Sequence, residues 1–212
     1  MVSEGNAAYK AGREKYILSA DGSSVIAVSP TFKGKFTASQ LGGANVTAIG
    51  KSAFSHNARI TAVELPKVTS IGNYGLGSAK GVQSVTFGKL TDIGEYAFFE
   101  TAITELPGFT VDTRIGKYAF SFTKLTSVKI PDGMTVAEGV FSECMNLEEV
   151  IVGNNVTLGN YAFHVSTDNA FEVLSYDENG ERYFYYRFSS PLTSLTIGKN
   201  AVIGEKAFTN AA

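Results

Sequence analysis

The stretch IGKYAF at 115–120, followed by SFTKLTSVKIP at 121–131, decides the fold, because both halves recur along the chain. The first half returns as IGKSAF at 49–54, IGNYGL at 71–76, IGEYAF at 93–98, VAEGVF at 136–141, LGNYAF at 158–163 and IGEKAF at 203–208. Successive copies begin 22, 22, 22, 21, 22 and 45 residues apart. A unit this short cannot bury its own apolar edge, whereas stacked copies share one continuous core.

The second half is an apolar-x-x-apolar-x-apolar theme. It reads Ile60, Val63, Leu65; Val82, Val85, Phe87; Leu125, Val128, Ile130; Leu147, Val150, Val152; and Leu192, Leu195, Ile197, with a shortened Ile103–Leu106 version in the third repeat. The last two apolar positions lie two residues apart and so share one face of a short strand. Pro66, Gly88, Pro107, Pro131, Gly153 and Gly198 end these strands. Together the two themes predict a strand-rich repeat solenoid of about seven ~22-residue units over residues 46–212, with short turns or helical turns between strands. Stacking aligns Phe54, Leu76, Phe98, Phe120, Phe141, Phe163 and Phe208 as a mainly aromatic spine. The parallel column Gly50, Gly72, Gly94, Gly116, Gly159 and Gly204 marks a site with positive φ or no room for a Cβ. Ala137 interrupts it, which favours tight packing as the reason.

Composition fits this reading. Of 212 residues, 44% are hydrophobic and 18% charged, as expected of a folded chain, and 22 glycines suit many turns. A formal charge of −2 without a basic run argues against nucleic-acid binding, which needs a concentrated positive patch. No apolar run is long enough for a membrane span.

The combined pattern, best seen in VFSECMNLEEVIVG at 140–153, resembles the BspA-like leucine-rich-repeat family, with Cys144 at that family's cysteine position. The resemblance implies a right-handed leucine-rich-repeat superhelix on a bacterial secreted or cell-surface protein, with adhesion to host or matrix components as the commonly proposed role. The opening MVSEGNAAYKAGREKY holds no apolar leader core, so the secreted or surface placement rests on the resemblance alone.

Two regions depart from the repeat. Residues 1–45 are expected to be a capping region, with Tyr16–Ser19 and Val25–Val28 as a β-hairpin turning at Asp21-Gly22 and a short helix over Ala7–Lys15. Within about 165–191 some 24 residues are inserted, since Leu192 follows Phe163 by 29 positions where Leu125 follows Phe120 by five. FEVLSY at 171–176 and RYFYYRF at 182–188 flank Asn179-Gly180, a strong hairpin signal. Tyr176, Tyr183, Tyr185 and Arg187 on this hairpin are candidate partner-binding residues, because tyrosines offer apolar area with a polar tip. Packing of the same rings against the repeats is the competing account. A second candidate surface is the outward strand face, Ala62/Glu64, Ser84/Thr86, Ser127/Lys129, Glu149/Ile151 and Ser194/Thr196, which is also consistent with ordinary solvated strand residues.

Chemistry-bearing residues are sparse. His56 and His164 fall in distant repeats and cannot share a metal, and both read as solvated turn residues. Cys144 cannot form an internal disulfide. Its counterparts Asn57, Ala79, Thr101 and Thr123 are small, which marks a buried filler position. GLGSAKG at 75–81 lacks the ending of a phosphate loop, and Asp177–Glu181 does not have EF-hand spacing. Asn45-Val46-Thr47 and Asn155-Val156-Thr157 fall on the repeat theme, which accounts for them without glycosylation. No cofactor, metal or catalytic set can be assembled. The expectation is a non-enzymatic module binding a protein or polysaccharide, with a ligand-free structural spacer as the alternative.

Overall fold

The computed structural model describes residues 14–166, 171–176, 182–187 and 192–209. The expected helix over Ala7–Lys15 falls almost wholly outside them. The fold is strand-rich, and its helical content among the described residues is one 3₁₀ turn over Ala38–Leu41.

Each repeat places three backbone segments in register with its neighbours. The first is a short parallel ladder in the order Ser24–Val28, Ala48–Ile49, Ser70–Ile71, Asp92–Ile93, Arg114–Ile115. It resumes as Thr135–Val136, Thr157–Leu158, Val202–Ile203. The interruption between Ile115 and Val136 coincides with the single 21-residue step. The second is a longer parallel ladder, Gly34–Thr37, Ile60–Leu65, Ser84–Phe87, continued by Ser127–Ile130, Glu149–Val152, Ser194–Ile197. It lapses at the shortened Ile103–Leu106 theme, where Thr126 N still donates to Thr104 O at 3.2 Å. Strand pairing therefore follows sequence regularity closely.

The third segment is not a strand, and it is the continuous one. In the hexapeptides, alternate backbone N–H groups donate to the next repeat: Tyr74 N to Glu95 O, Tyr96 N to Lys117 O, Tyr118 N to Glu138 O, Gly139 N to Asn160 O and Tyr161 N to Glu205 O, at 2.9–3.1 Å. The spine residues do the same, from Phe54 N to Gly75 O through Phe163 N to Ala207 O. This alternation requires left-handed backbone at the fourth hexapeptide position. Ser52, Tyr74, Tyr96, Tyr118, Gly139, Tyr161 and Lys206 all have φ between 54° and 62°. For a non-glycine residue that conformation costs about 1–2 kcal/mol, which the bond to the following repeat and the stacked rings offset.

The glycine column has a different cause. Gly50, Gly72, Gly94, Gly116, Gly159 and Gly204 do not adopt positive φ. A Cβ at Gly116 would lie 2.5 Å from Glu95 N, and one at Gly204 would lie 2.5 Å from Gly159 C. Close approach of backbone to backbone excludes a side chain there, and the positive φ falls two residues later, on residues that composition alone does not flag.

Among the described residues nearly all of the core is one cluster, with Ala27 packed apart from it against Ile17 and Ile26. Phe98, Phe120, Phe141, Phe163 and Phe208 form a run of nearly parallel rings with centroids 5.0–5.6 Å apart. Leu76 interrupts the aromatic run, and Phe54 instead meets Phe36 edge to face at 5.0 Å. At the N-terminal side Tyr16–Leu18 pairs antiparallel with Ser24–Val28. The Asp21 carboxylate in the connecting turn accepts bonds from Ser19 Oγ and from the Ser23 N–H and hydroxyl, which hold its pKa down at about 2.

At the other end the inward positions lose their cover: Leu195 and Ile197 are 43% and 45% exposed. This gradient gives a test. Leu125→Ala, in a fully buried position, should cost about 2–5 kcal/mol. Leu195→Ala, in the last strand of the longer ladder and in register with Val150, should cost about 1 kcal/mol or less, as read from urea unfolding midpoints at constant slope.

Candidate binding site on the turn face

The left-handed hexapeptide residues project their side chains from the face opposite the spine. Tyr74, Tyr96 and Tyr118 consequently stack, with centroids 4.8 and 5.2 Å apart and planes within 12° of parallel. The next ring of this column is missing, because position 139 is glycine. A Cβ on Gly139 would collide with the Tyr118 ring, which leans over it. The column resumes at Tyr161, over whose ring Lys206 Nζ, from the following repeat, lies 5.8 Å from the centroid.

Three residues beyond each column member lies a second row, Phe99, Ser121, Ser142 and His164. Phe99 packs edge-on against Tyr96 at 5.7 Å, and His164 edge-on against Tyr161 at 5.4 Å. Between these bulky pairs the small residues Ser121 and Ser142 are buried, their hydroxyls 2.9 Å apart. The two serines lie in a notch of about 370 Å³, with Phe122 and Glu143 also in its lining. Phe122 is 46% exposed. Glu143 is buried, and its Oε1 accepts the Ser166 N–H at 2.8 Å. His164 Nδ1 is buried and finds no hydrogen-bond partner among the described residues.

Burial, followed by the bond donated to Glu138 Oε1 at 2.9 Å, pushes the Tyr118 phenol up to about 12. Burial, then the neighbouring Tyr74 phenol and the Glu95 and Glu138 carboxylates, raise Tyr96 as well. Glu138 is held below its ordinary value by the Lys117 ammonium at 2.9 Å and by the Tyr118 hydroxyl.

The residues singled out from sequence lie elsewhere. On the longer ladder Glu64 is in register with Thr86, and Lys129 with Ile151 and Thr196, so the lapse at Ile103–Leu106 splits them into two groups. Thr86, Lys129 and Thr196 are exposed, while Glu64 and Ile151 are half-buried. Glu64 accepts an ion pair from Lys35 at 3.1 Å. Ala62, expected to face outwards, is buried at 2% exposure. It is in register with Lys35 on one side and Ser84 on the other. Strands Phe171–Tyr176 and Arg182–Arg187 pair antiparallel, with Tyr176 opposite Arg182 and Tyr185 opposite Val173. The side chains of Tyr176, Tyr183, Tyr185 and Arg187, and the Asn179-Gly180 turn, lie outside the described residues.

His56 is exposed at a left-handed turn position. His164 is not the solvated turn residue expected from sequence, because it forms a wall of the notch. Among the described residues no group of three His, Cys, Asp or Glu side chains could hold a metal, and no helix is long and apolar enough to cross a membrane. The notch was missed because the tyrosine column was read only as part of a turn. Its signal is a lapse in a column, Gly139 for Tyr, next to serines where Phe99 and His164 stand in flanking repeats.

Cys144 is buried with its counterparts Asn57, Ala79, Thr101 and Thr123. Its Sγ lies 3.1 Å from Phe120 O and from Thr123 Oγ1, and burial pushes the thiol up to about 11. The native protein should therefore resist thiol reagents at pH 8 and react fully when unfolded. A thiol pKa raised by folding contributes stability that is complete below the thiol's ordinary value. That contribution is lost as pH climbs towards about 11, and Cys144→Ser should flatten this part of a pH–stability profile.

A model of the BspA type leucine rich repeat region matches residues 47–170 and 113–212, in six copies. Among solved structures, a leucine-rich-repeat protein of T. pallidum is 22% identical, with a TM-score of 0.49 over 70% of this chain and 84% of that one. A leucine-rich-repeat protein of Bacteroides ovatus is 18% identical, with a TM-score of 0.41 over 78% of this chain and 68% of that one. No curated protein sequence matches. With a BspA-type match spanning most of its length and parallel ladders in step with the repeat, the chain belongs to the BspA-type leucine-rich-repeat family.

Proposed function

We propose that the chain is a non-enzymatic protein-binding module whose repeats coil as one right-handed solenoid of about seven units, with residues 1–45 as its cap and the insertion within about 165–191 as an added hairpin. Members of this repeat family are generally interaction or surface modules, which supports an adhesin-like role on a secreted or cell-surface protein of a bacterium. The observation that carries the reading is the notch. A core spine explains Phe120 and Phe141, but stability alone does not call for an open aromatic recess ringed by Tyr161, Phe122 and Glu143. The hairpin residues Tyr176, Tyr183, Tyr185 and Arg187 are candidates for the same partner, because Ser166, where the insertion departs, is bonded to Glu143 in the notch wall. The ladder residues Glu64, Thr86, Lys129, Ile151 and Thr196 form a separate candidate surface.

The test is a binding screen against host matrix proteins and polysaccharides with three forms: the intact chain, a Phe122→Ala/Tyr161→Ala variant, and a chain lacking residues 167–190. A protein ligand whose affinity falls at least tenfold in the double variant, about 1.4 kcal/mol, at unchanged melting temperature, is the expected result. Binding lost only with the hairpin moves the site there. Binding kept by both altered forms moves it to the ladder. No binding by the intact chain favours a ligand-free spacer, and selective binding of a polysaccharide changes the partner class.

A further inference from the structure

Resting on the reading of the notch as a protein-binding site, we propose that the notch is one half of a two-part site astride Phe122. Its occupant is a partner segment carrying an aromatic side chain and, two residues on, a carboxylate. The ring enters the notch, and the carboxylate lies between Lys80 and Lys124. Three observations lead there.

The first is Phe122 itself. It belongs to a row of left-handed turn residues, His56, Ser78, Glu100, Phe122 and Glu143, with φ between 55° and 60°. The other four are polar or charged. Phe122 alone in the row is apolar, and it is 46% exposed. Left-handed backbone costs a non-glycine residue about 1–2 kcal/mol, and a ring left this open recovers little of that by burial. Its contact with Phe99, edge to face at 5.4 Å, sets the ring upright and leaves its surface to a ligand.

The second is shape. Phe122 lines two recesses at once. On one side is the notch, with Tyr96, Phe99, Tyr118 and Tyr161 in its lining, and aromatic side chains favour edge-on and offset contacts with such rings. On the other is a recess of about 310 Å³ lined by Lys80, Glu100, Thr101, Ala102 and Lys124. Lys80, Ala102 and Lys124 hold the same place in three successive repeats. The recess is therefore the dip left by a small residue between two long ones. Parallel chains spaced at ~4.8 Å put the backbones of the two lysines about 10 Å apart, and their flexible stems can converge on one group between them. An extended partner chain presents residues i and i+2 on the same side about 7 Å apart, which suits two recesses that share a single ring as their wall.

The third is charge. Glu100 is taken up by Lys80 at 3.3 Å and by the Ser78 hydroxyl at 3.0 Å. Lys124 is exposed and makes no ion pair among the described residues. The recess thus holds two ammonium groups and one carboxylate, an excess of positive charge on a chain whose formal charge is −2. A partner carboxylate, with about four lone-pair positions, complements it. A partner lysine or arginine would be repelled.

The experiment is a titration of the intact, isotope-labelled chain with the peptide Ac-Gly-Phe-Gly-Glu-Gly-NH2, following backbone amide resonances. Peptides with glutamine or lysine for the glutamate, and with alanine for the phenylalanine, are run alongside. The expected result is a saturable shift on both sides of Phe122, at Ser121 and Ser142 and at Ala102 and Lys124. The glutamate peptide should bind about three- to fivefold more tightly than the glutamine one, the range of an exposed ion pair, and the lysine peptide should bind more weakly than either. At about 1 M salt, where the Debye length is about 3 Å, the preference should disappear. Lys124→Gln should abolish the preference for glutamate over glutamine, while Lys129→Gln, on the strand face of the same repeat, should keep it. Phe122→Ala should weaken the phenylalanine peptides, and loss of the peptide's own ring should do the same. Lys124 is exposed, so its replacement leaves the fold intact, and melting temperatures confirm this for each variant. Equal affinity for the glutamate and glutamine peptides, a preference that survives Lys124→Gln, shifts confined to one side of Phe122, or no saturable shift would each overturn the proposal. A chain that captures a matrix protein but treats the glutamate and glutamine peptides alike refutes the two-part site and leaves the binding function standing. A chain that shows the preference but captures nothing in the screen upholds the two-part site and rules out the screened matrix proteins as its partners.

Discussion

Phe120→Ala should destabilise the protein by about 3–5 kcal/mol, among the largest losses expected from a single truncation among the described residues. Phe120 is fully buried, and its ring is sandwiched between Phe98 at 5.0 Å and Phe141 at 5.6 Å. Removing it forfeits apolar burial and two stacking contacts, and leaves a ring-sized cavity midway along the spine. Collapse cannot close that cavity, because the rings on either side are held by backbone bonds from Phe98 N to Ala119 O and from Phe141 N to Ala162 O. Phe120→Leu is the informative control. Leu76 occupies the same column fully buried, so leucine should recover more than half of the loss. Urea unfolding monitored by far-ultraviolet circular dichroism measures both, and a loss for Phe120→Ala below about 1.5 kcal/mol would contradict a load shared along the spine.

Gly116→Ala should rank next, at about 3 kcal/mol, from the addition of a single methyl. The new carbon would sit 2.5 Å from Glu95 N and 2.8 Å from Gly94 C, and both neighbours are backbone atoms that cannot swing aside. Accommodation requires the repeats to separate, which weakens the bond from Gly116 N to Ile93 O. The natural sequence contains its own comparison. Ala137 occupies this column where the step is 21 residues and the short ladder is interrupted. Ala137→Gly should therefore change stability by less than about 1 kcal/mol, a contrast of several-fold between two exchanges of the same methyl.

Much of this architecture was legible because the repeat writes each packing role several times. Phe98, Phe120, Phe141 and Phe163 show the spine by recurrence, and the spacing of Val128 and Ile130 or Val150 and Val152 shows the strands. Even the lapse of the longer ladder is visible, in the shortened Ile103–Leu106 theme. What could not be read was conformation within the turn. Tyrosine has no preference for positive φ, and nothing in IGKYAF says that Tyr118 rather than Gly116 takes the left-handed conformation. Only the demand that alternate N–H groups reach the next repeat fixes it. The notch followed from the same gap. Its defining residues are small, and the absence of a ring at Gly139 carries meaning only after the rings at Tyr118 and Tyr161 are known to point out from the turn face. Ala62 was misplaced because alternation alone does not reveal that this position is buried between the paired strands.

The continuity of the turn-face bonds, set beside the two interruptions in the strand ladders, bears on how the molecule flexes. Between Phe87 and Ser127 the longer ladder is absent, and between Ile115 and Val136 the shorter one is, while the hexapeptide backbone stays bonded from repeat to repeat throughout. Compliance is thereby concentrated in the middle of the chain and directed to the strand side, with the turn side acting as the binding of a book whose pages can fan. Amide hydrogens near 103–113 should exchange with solvent earlier than those of the hexapeptides they connect. The rings of Tyr96, Tyr118 and Tyr161 belong to the bonded turn side, so fanning of the strand side should change their separation least.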